Sequence, residues 1–342
     1  MTMKTPTTAF LFLAVNTIAF SQAADSADFY FKKGLEEKNN RRFLPALNHF
    51  QKSVNFRQDL AEAQKELGLA AIQVNRNDVA IPAFQKLLTL KKDDPIAFEN
   101  LANIYFRNRK WNEAIVYAKK MQQLKLGKNS NYIIGKSNYE VENYAEANTY
   151  LEAAAKDEPA NAEIPYLIGR SYVDMSNYKA AASYMEKAVS LDTTKPRWTY
   201  ECGLAFGAIP NDKMAIKYYL LAAERGYKTD NDYYENLGDA YIASGEAARG
   251  VELLKKVLEK KPSDLVLLYN IAEILYRTGK FQEAIDQWDK ILLYDKQNAK
   301  ALYMIGLAYQ KMGDKAKGMQ LCDKAISMDP SLANMRQKKM ML

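Results

Sequence analysis

Small residues recur along the chain at an almost constant spacing. A Gly or Ala occupies nine positions separated by 33 to 35 residues, and a second Gly or Ala follows each of them after twelve residues. Two helices approach each other closely only where both carry small side chains. The pattern therefore predicts nine helix pairs, one in each period. The first series of small residues is Gly34, Gly68, Ala102, Gly135, Gly169, Gly203, Gly238, Ala272 and Gly306.

Apolar residues follow the same period. Four residues after the second small residue of each period, the chain carries an apolar side chain, and this spacing places both on one helical face. Pro159, Pro262 and Pro330 occupy the same position within their periods. This position follows the second helix of a pair, which proline would end. The apolar series is Phe50, Phe84, Ala118, Leu151, Met185, Tyr219, Leu254, Trp288 and Cys322.

The first 23 residues follow a different pattern. Lys4 precedes an apolar stretch over 9–20, and small residues then stand at cleavage-like spacing before Gln22 or Ala24. This pattern predicts a signal peptide over 1–23 and a periplasmic or secreted mature protein. The alternative is an uncleaved membrane anchor, but the stretch is shorter than the roughly 17 residues that span a bilayer. No Cys follows the stretch to carry a lipid.

The amino-acid composition excludes several kinds of functional site. The chain has 342 residues with a single His at position 49, which excludes a multi-histidine metal site. Its two cysteines, Cys202 and Cys322, exclude a disulfide framework and are expected to be buried thiols. The chain contains none of the glycine-rich phosphate-loop or nucleophile-elbow motifs. We therefore expect no catalytic, cofactor or metal site. Because charges of both signs are mixed, the net charge of +7 does not indicate nucleic-acid binding.

The period and its motifs resemble the tetratricopeptide repeat family. Residues 237–241 read Leu-Gly-Asp-Ala-Tyr, and 305–309 read Ile-Gly-Leu-Ala-Tyr. The resemblance covers about nine repeats over 24–330, one of which has Sel1-like character at 222–227. It implies an all-α, right-handed superhelical solenoid of antiparallel helix hairpins. Residues 331–342 are then expected to form a C-terminal capping helix or a tail.

By this resemblance, the first helix of each repeat lines a concave groove. Residues two or three positions before the first small residue should face that groove. Tyrosine offers broad contact area, and the Asn amide can pair with a peptide backbone. An acidic cluster lies in the seventh repeat. The partner-binding candidates are Tyr132, Tyr166, Tyr200, Tyr269, Tyr303, Asn100, Asn236, Asn270, Asp232, Glu235 and Asp239.

These features predict a non-enzymatic protein–protein interaction scaffold or adaptor of the bacterial cell envelope, binding an extended peptide or a helix in its groove. Alternatives stand beside this prediction. The Tyr and Asn residues are also common in the family without a ligand, and an aromatic groove could instead bind carbohydrate or glycan. Basic residues outside the groove, such as Lys255 and Lys261, form either a solvated face or a peripheral contact with an anionic envelope surface.

Overall fold

The computed structural model describes residues 24–127 and 129–333. Within these residues the chain is all-helical, which confirms the predicted all-α class. The predicted signal peptide and the residues beyond 333 lie outside the described part. The helices are α1 (24–39), α2 (Phe43–Phe56), α3 (Ala61–Gln73), α4 (Asn77–Leu90), α5 (Pro95–Arg107), α6 (Trp111–Gln123), α7 (Ser130–Glu140), α8 (Tyr144–Asp157), α9 (Glu163–Asp174), α10 (Tyr178–Leu191), α11 (Pro196–Ala208), α12 (Asp212–Glu224), α13 (Asn231–Ala243), α14 (Ala247–Lys260), α15 (Leu265–Arg277), α16 (Phe281–Tyr294), α17 (Ala299–Lys311) and α18 (Lys315–Met328).

Several odd-numbered helices begin at a capping residue that lies at the same position in each repeat. In each case an Asp or Asn eight residues before the first small residue accepts a hydrogen bond from the backbone N–H three residues further on. Such caps satisfy an N–H group that has no partner within the helix. These residues are Asp94, Asp230, Asp264 and Asn298.

The turn between the two helices of a pair is also periodic. In eight of the nine repeats, the backbone seven residues after the first small residue enters the left-handed region, with φ between 57° and 99°, and the sixth repeat has Pro210 there. Glycine adopts this conformation without a steric cost, whereas other residues do so less readily. The last three repeats carry glycine there and the earlier ones do not. The residues are Arg41, Asn75, Arg109, Glu142, Ser176, Gly245, Gly279 and Gly313.

The described residues divide into two compact units, one that ends at Ser171 and one that begins at Tyr172. In the first unit, α3 packs on α4, α5 on α6 and α7 on α8, and each pair also contacts the next. A buried apolar cluster extends through these helices from Ala46 to Ile134. Helix α1 joins this unit through a hydrogen bond of 2.8 Å from Ser53 Oγ to the carbonyl oxygen of Ala27.

In the second unit, the pairs are α11–α12, α13–α14, α15–α16 and α17–α18. Their buried apolar clusters follow one another along the sequence. The last cluster contains Tyr303 and Cys322, and Leu332 covers them from the single 3₁₀ turn Pro330–Leu332. The other cysteine, Cys202, is fully buried, and burial raises the pKa of its thiol. None of the described helices combines the length and apolarity that crossing a membrane requires.

The small residues lie where the two helices of a pair touch. A Cβ atom on Gly250 of α14 would lie 2.5 Å from the carbonyl oxygen of Gly238 on α13. Gly318 stands in the same relation to Gly306, again at 2.5 Å. In pairs with Ala on the second helix, a Cβ on the first-helix glycine would instead strike the core residue sixteen positions later, as Gly203 would strike Tyr219 at 2.7 Å. Helix backbones therefore approach each other at these positions because the side chains are absent.

We expect Gly250→Ala to destabilise the second unit. The added methyl group meets backbone and the side chain of Ile242 at 2.5 Å, so α13 and α14 must move apart. Overpacking of this kind costs about 1–3 kcal/mol, and chemical denaturation with circular dichroism detection measures the loss. Gly207→Ala is the control, because its Cβ finds ordinary contacts of 3.4 Å or more. Equal stability of Gly250→Ala and the wild type would contradict the close approach.

Candidate functional site

In the first unit, the predicted partner-binding tyrosines already contact neighbouring side chains. The Tyr132 hydroxyl donates a hydrogen bond of 2.7 Å to Glu163 Oε2, and Lys136 Nζ lies 2.7 Å from Glu163 Oε1. Burial raises the pKa of Tyr132, and the neighbouring Glu163 raises it further. The Tyr166 hydroxyl lies 3.4 Å from Arg170 Nη1. These contacts hold both half-buried rings in place.

The predicted partner-binding asparagines differ in their exposure and in the hydrogen bonds that their side chains make. Asn100 of α5 donates its amide to the carbonyl oxygen of Ile96, one helical turn earlier, at 2.7 Å. That bond occupies a donor that a peptide backbone would otherwise use. Asn270 of α15 is exposed.

Tyr269 and Tyr303 occupy the same position in successive repeats but have different surroundings. Tyr269 is half-buried, with Lys300 Nζ 4.3 Å above its ring centroid, and burial raises its pKa to about 12, with a further contribution from Glu273. Tyr303 is 1% exposed and belongs to the terminal core cluster. Its ring therefore packs against the core and is not presented to a partner in this structure.

Tyr200 of α11 lies at the centre of an aromatic cluster in the second unit. Its ring stacks on Tyr227 with a centroid separation of 4.2 Å, and Tyr219 and Tyr233 flank it at 5.4 and 6.3 Å. Its hydroxyl accepts a hydrogen bond of 2.8 Å from Asn236 Nδ2 of α13. Burial raises the pKa of Tyr200 to about 12, while the Asn236 donor opposes that rise. The hydrogen bond ties α13 to α11.

Two open recesses adjoin this cluster along α11, the smaller one facing α13 and the larger one facing the linker that precedes α13. One has a volume of about 280 Å³ and is bounded by Gly207, Asn236 and Asp239, and the other, of about 390 Å³, is bounded by Tyr200 and Tyr227. Leu204 lines both recesses and is 37% exposed. We call this surface the α11–α13 groove, defined by Tyr200, Leu204, Gly207, Tyr227, Asn236 and Asp239. Five of these residues lie on the first helices of adjacent repeats, and Tyr227 lies in the linker between α12 and α13.

The charge of the α11–α13 groove is predominantly acidic. Asp212 and Asp239 line the smaller recess, and Asp230 lines the larger one beside Arg197 and Lys228. Arg197 Nε lies 2.9 Å from Glu201 Oε1, so this cation is already paired. Asp239 is exposed in the recess and pairs with no cation among the described residues, and the partial burial of its carboxyl raises its pKa. The recess therefore contains a carboxylate that a cationic group would stabilise.

The three acidic candidates of the seventh repeat contribute differently to this surface. Asp239 lines the smaller recess, whereas Asp232 and Glu235 line neither of the two recesses. Asp232 is exposed and its backbone carbonyl accepts a second hydrogen bond from Asn236, at 2.7 Å. Among the described residues, no three His, Cys, Asp or Glu side chains converge as a metal site requires.

Three residues of the α11–α13 groove were not predicted from the sequence. Leu204 directly follows the small Gly203, and Gly207 lies one turn further along α11. Tyr227 belongs to the linker after α12, within the segment of Sel1-like character. That irregular linker is the sequence signal for Tyr227, since it departs from the usual repeat there.

Removing the charge of Asp239 should stabilise the protein at neutral pH. Because burial raises the pKa of this carboxyl, its ionised form opposes folding above the raised pKa. We expect Asp239→Asn to raise the midpoint of thermal unfolding at pH 7 by on the order of 1 °C. Below the ordinary carboxyl pKa of 3.8, the difference between the two proteins should vanish.

Scanning calorimetry at several pH values measures this difference. Asp93→Asn, in the exposed turn before α5, is the matched control and should leave the midpoint unchanged. A lower midpoint for Asp239→Asn at pH 7 would contradict an unfavourable environment for the carboxylate.

Family models match four segments of the chain. Three describe tetratricopeptide repeats, at residues 134–196, 241–299 and 299–332. The fourth, described as anaphase-promoting complex, cyclosome, subunit 3, matches residues 73–154.

Curated relatives match over short segments. Tetratricopeptide repeat protein 37 of Xenopus laevis is 28% identical over 97 residues, which are 28% of this chain and 6% of that protein. The BBSome complex member BBS4 of Bos taurus is 30% identical over 81 residues, 24% of this chain and 16% of that protein. The chain thus spans less than a fifth of the length of each relative.

Two solved structures show the same kind of similarity. YrrB, described as a TPR protein with an unusual peptide-binding site, has a TM-score of 0.44 and 20% identity, and the match covers 55% of this chain and 97% of YrrB. The C-terminal part of a TPR repeat-containing protein from Cytophaga hutchinsonii has a TM-score of 0.47 and 21% identity, covering 67% of this chain and 94% of that one. The three segment matches support the tetratricopeptide repeat family for this chain, a family that generally mediates protein–protein interactions.

Proposed function

We propose that this protein is a non-enzymatic scaffold of the bacterial cell envelope that holds a segment of a partner protein in the α11–α13 groove. The observation that carries the proposal is the composition of that groove. It combines an exposed Leu204, stacked tyrosine rings and a carboxylate without a cation in two adjoining open recesses. Such a surface can contact apolar, polar and cationic parts of one peptide.

Asn236 supports an extended segment as the ligand. Its Nδ2 group donates to the Tyr200 hydroxyl and to the Asp232 carbonyl oxygen, which fixes the side-chain amide. Its Oδ1 atom accepts no hydrogen bond from the described residues and can therefore accept one from a partner backbone N–H. A side-chain amide held in this way is preorganised, which lowers the entropy cost of binding.

The acidic balance supports a partner segment that carries Lys or Arg. The aliphatic stem of such a side chain would pack on Leu204, and its cationic group would approach Asp239. Asp212 and Asp230 add negative charge on either side of Leu204. Complementary charge also accelerates association and disfavours acidic segments.

Peptide selection tests this proposal. Random peptides displayed on phage and selected on the wild-type protein should be enriched in Lys or Arg next to an apolar residue. We expect Asp239→Lys and Gly207→Leu each to weaken binding of the selected peptides at least about tenfold, or about 1.4 kcal/mol. The first replaces the unpaired carboxylate of the smaller recess with a cation, and the second fills the recess, since a Cβ at Gly207 meets no atom closer than 3.4 Å.

Asp286→Lys is the matched control, because Asp286 is exposed on α16 and lies outside the groove. Equal affinity of the three variants and the wild type would refute the groove as the binding site. A parallel screen against glycans distinguishes the carbohydrate alternative, which would be favoured if sugars bind and peptides do not.

The envelope location rests on the predicted signal peptide. When the full-length gene is expressed in a bacterial host, intact-mass measurement of the protein should give a chain that starts at Gln22 or Ala24. Replacing Leu11 and Leu13 with Arg should block processing, since the apolar stretch no longer suits the export machinery. An unprocessed chain recovered from the cytoplasm in both cases would refute the location.

A further inference from the structure

A second surface stands out on the even-numbered helices of the same unit. Leu293 and Tyr294, at the C-terminal end of α16, are 77% and 54% exposed. Two consecutive large apolar side chains with this exposure are unusual in a folded domain, since burial would release their hydration water. Both line a recess of about 440 Å³ between α14 and α16, together with Leu258 and Pro262.

Lysines line this recess and lie within two residues of its lining residues along the chain. Lys255 and Lys290 line it, and Lys260 and Lys261 stand exposed in the turn that ends α14. Lys296 follows Tyr294 by two residues and is also exposed. We call the surface formed by Leu258, Pro262, Leu293, Tyr294 and these five lysines the α14–α16 patch.

The α14–α16 patch keeps an excess of positive charge after its own pairings. Lys255 Nζ lies 3.4 Å from Glu283 Oε2, and Glu259 lines the same recess as Lys290. Asp295 is turned toward its own loop, where its carboxylate accepts hydrogen bonds from the Gln297 backbone and the Asn298 amide. Lys260, Lys261 and Lys296 take part in no ion pair within the described residues.

We propose that the α14–α16 patch docks the protein on the surface of an anionic lipid bilayer. Protruding Leu and Tyr side chains suit a fluid partner into which they can insert, and a Tyr ring suits the level of the lipid headgroups. The lysine stems reach along the apolar surface while their ammonium groups contact lipid phosphates. A peptide partner would instead need exposed backbone-pairing groups, and Gln287, the amide that lines this recess, is only 5% exposed.

Docking through α14 and α16 would leave the α11–α13 groove on other helices available for a protein partner. The two surfaces differ in charge, since the groove is predominantly acidic and the patch is basic. The docking proposal is independent of the groove proposal, because it uses different residues and a different class of ligand.

Vesicle co-sedimentation tests the docking proposal with the full chain. We expect binding to vesicles that contain phosphatidylglycerol, little binding to pure phosphatidylcholine vesicles, and loss of binding in 0.5 M NaCl. The double variant Leu293→Ser/Tyr294→Ser should bind at least about tenfold more weakly. The charge variant Lys260→Glu/Lys261→Glu should lose binding to a similar extent. The wild type and the variants share the same N-terminus, so differences between them report on the patch.

Leu220→Ser is the matched control, because Leu220 is 46% exposed on α12 and outside the patch, and it should bind like the wild type. A Tyr294→Trp variant gives a second readout, since its emission should move to shorter wavelength when anionic vesicles are added. Equal binding by the wild type and both patch variants would overturn the proposal. So would the absence of binding to anionic vesicles at low salt, or equal binding to neutral vesicles.

Discussion

The structure depends on the close approach of two helix backbones at paired small residues. At Gly250, Gly306 and Gly318, a single added methyl group would collide with a carbonyl oxygen of the opposite helix, and at Gly238 it would make a tight contact of 3.2 Å. Such an approach sets the distance between the helices of a pair. It also decides which side chains fill the space next to the contact, as Leu254 and Cys322 do four residues later on the second helix. The 34-residue period of the sequence follows from this one constraint.

The α11–α13 groove lies next to the point where α11 and α12 cease to pack closely. Gly203 of α11 lies against the ring of Tyr219, where a Cβ would be 2.7 Å away. One turn later, at Gly207, the nearest atom to a Cβ is the Tyr219 hydroxyl at 3.4 Å. The glycine at 207 therefore is not required by packing against α12, and its missing side chain leaves room for the recess beside Asp239. Function in this proposal rests on a small residue outside the repeat pattern.

Much of the fold could be predicted from the sequence because helix pairing imposes a period on it. The small residues, the apolar face and the helix ends at Pro159, Pro262 and Pro330 all share that period. The site could be predicted only in part. Tyr200, Tyr269 and Tyr303 occupy the same phase, yet Tyr200 stacks on the linker residue Tyr227, Tyr269 stays half-exposed, and Tyr303 is covered from the chain beyond α18. The position of a residue within its repeat determines which face of the helix it lies on. Linkers and chain termini determine which residues cover that face.

The proposed role as a peptide-holding scaffold depends most on the location of the bound segment. Hydrogen exchange of the backbone amides, measured with and without a peptide selected on the wild-type protein, reports that location directly. Binding in the α11–α13 groove predicts slower exchange in Pro196–Ala208 and Asn231–Ala243 upon peptide addition. Slower exchange confined to α14 and α16, or no change in either segment at saturating peptide, would contradict it.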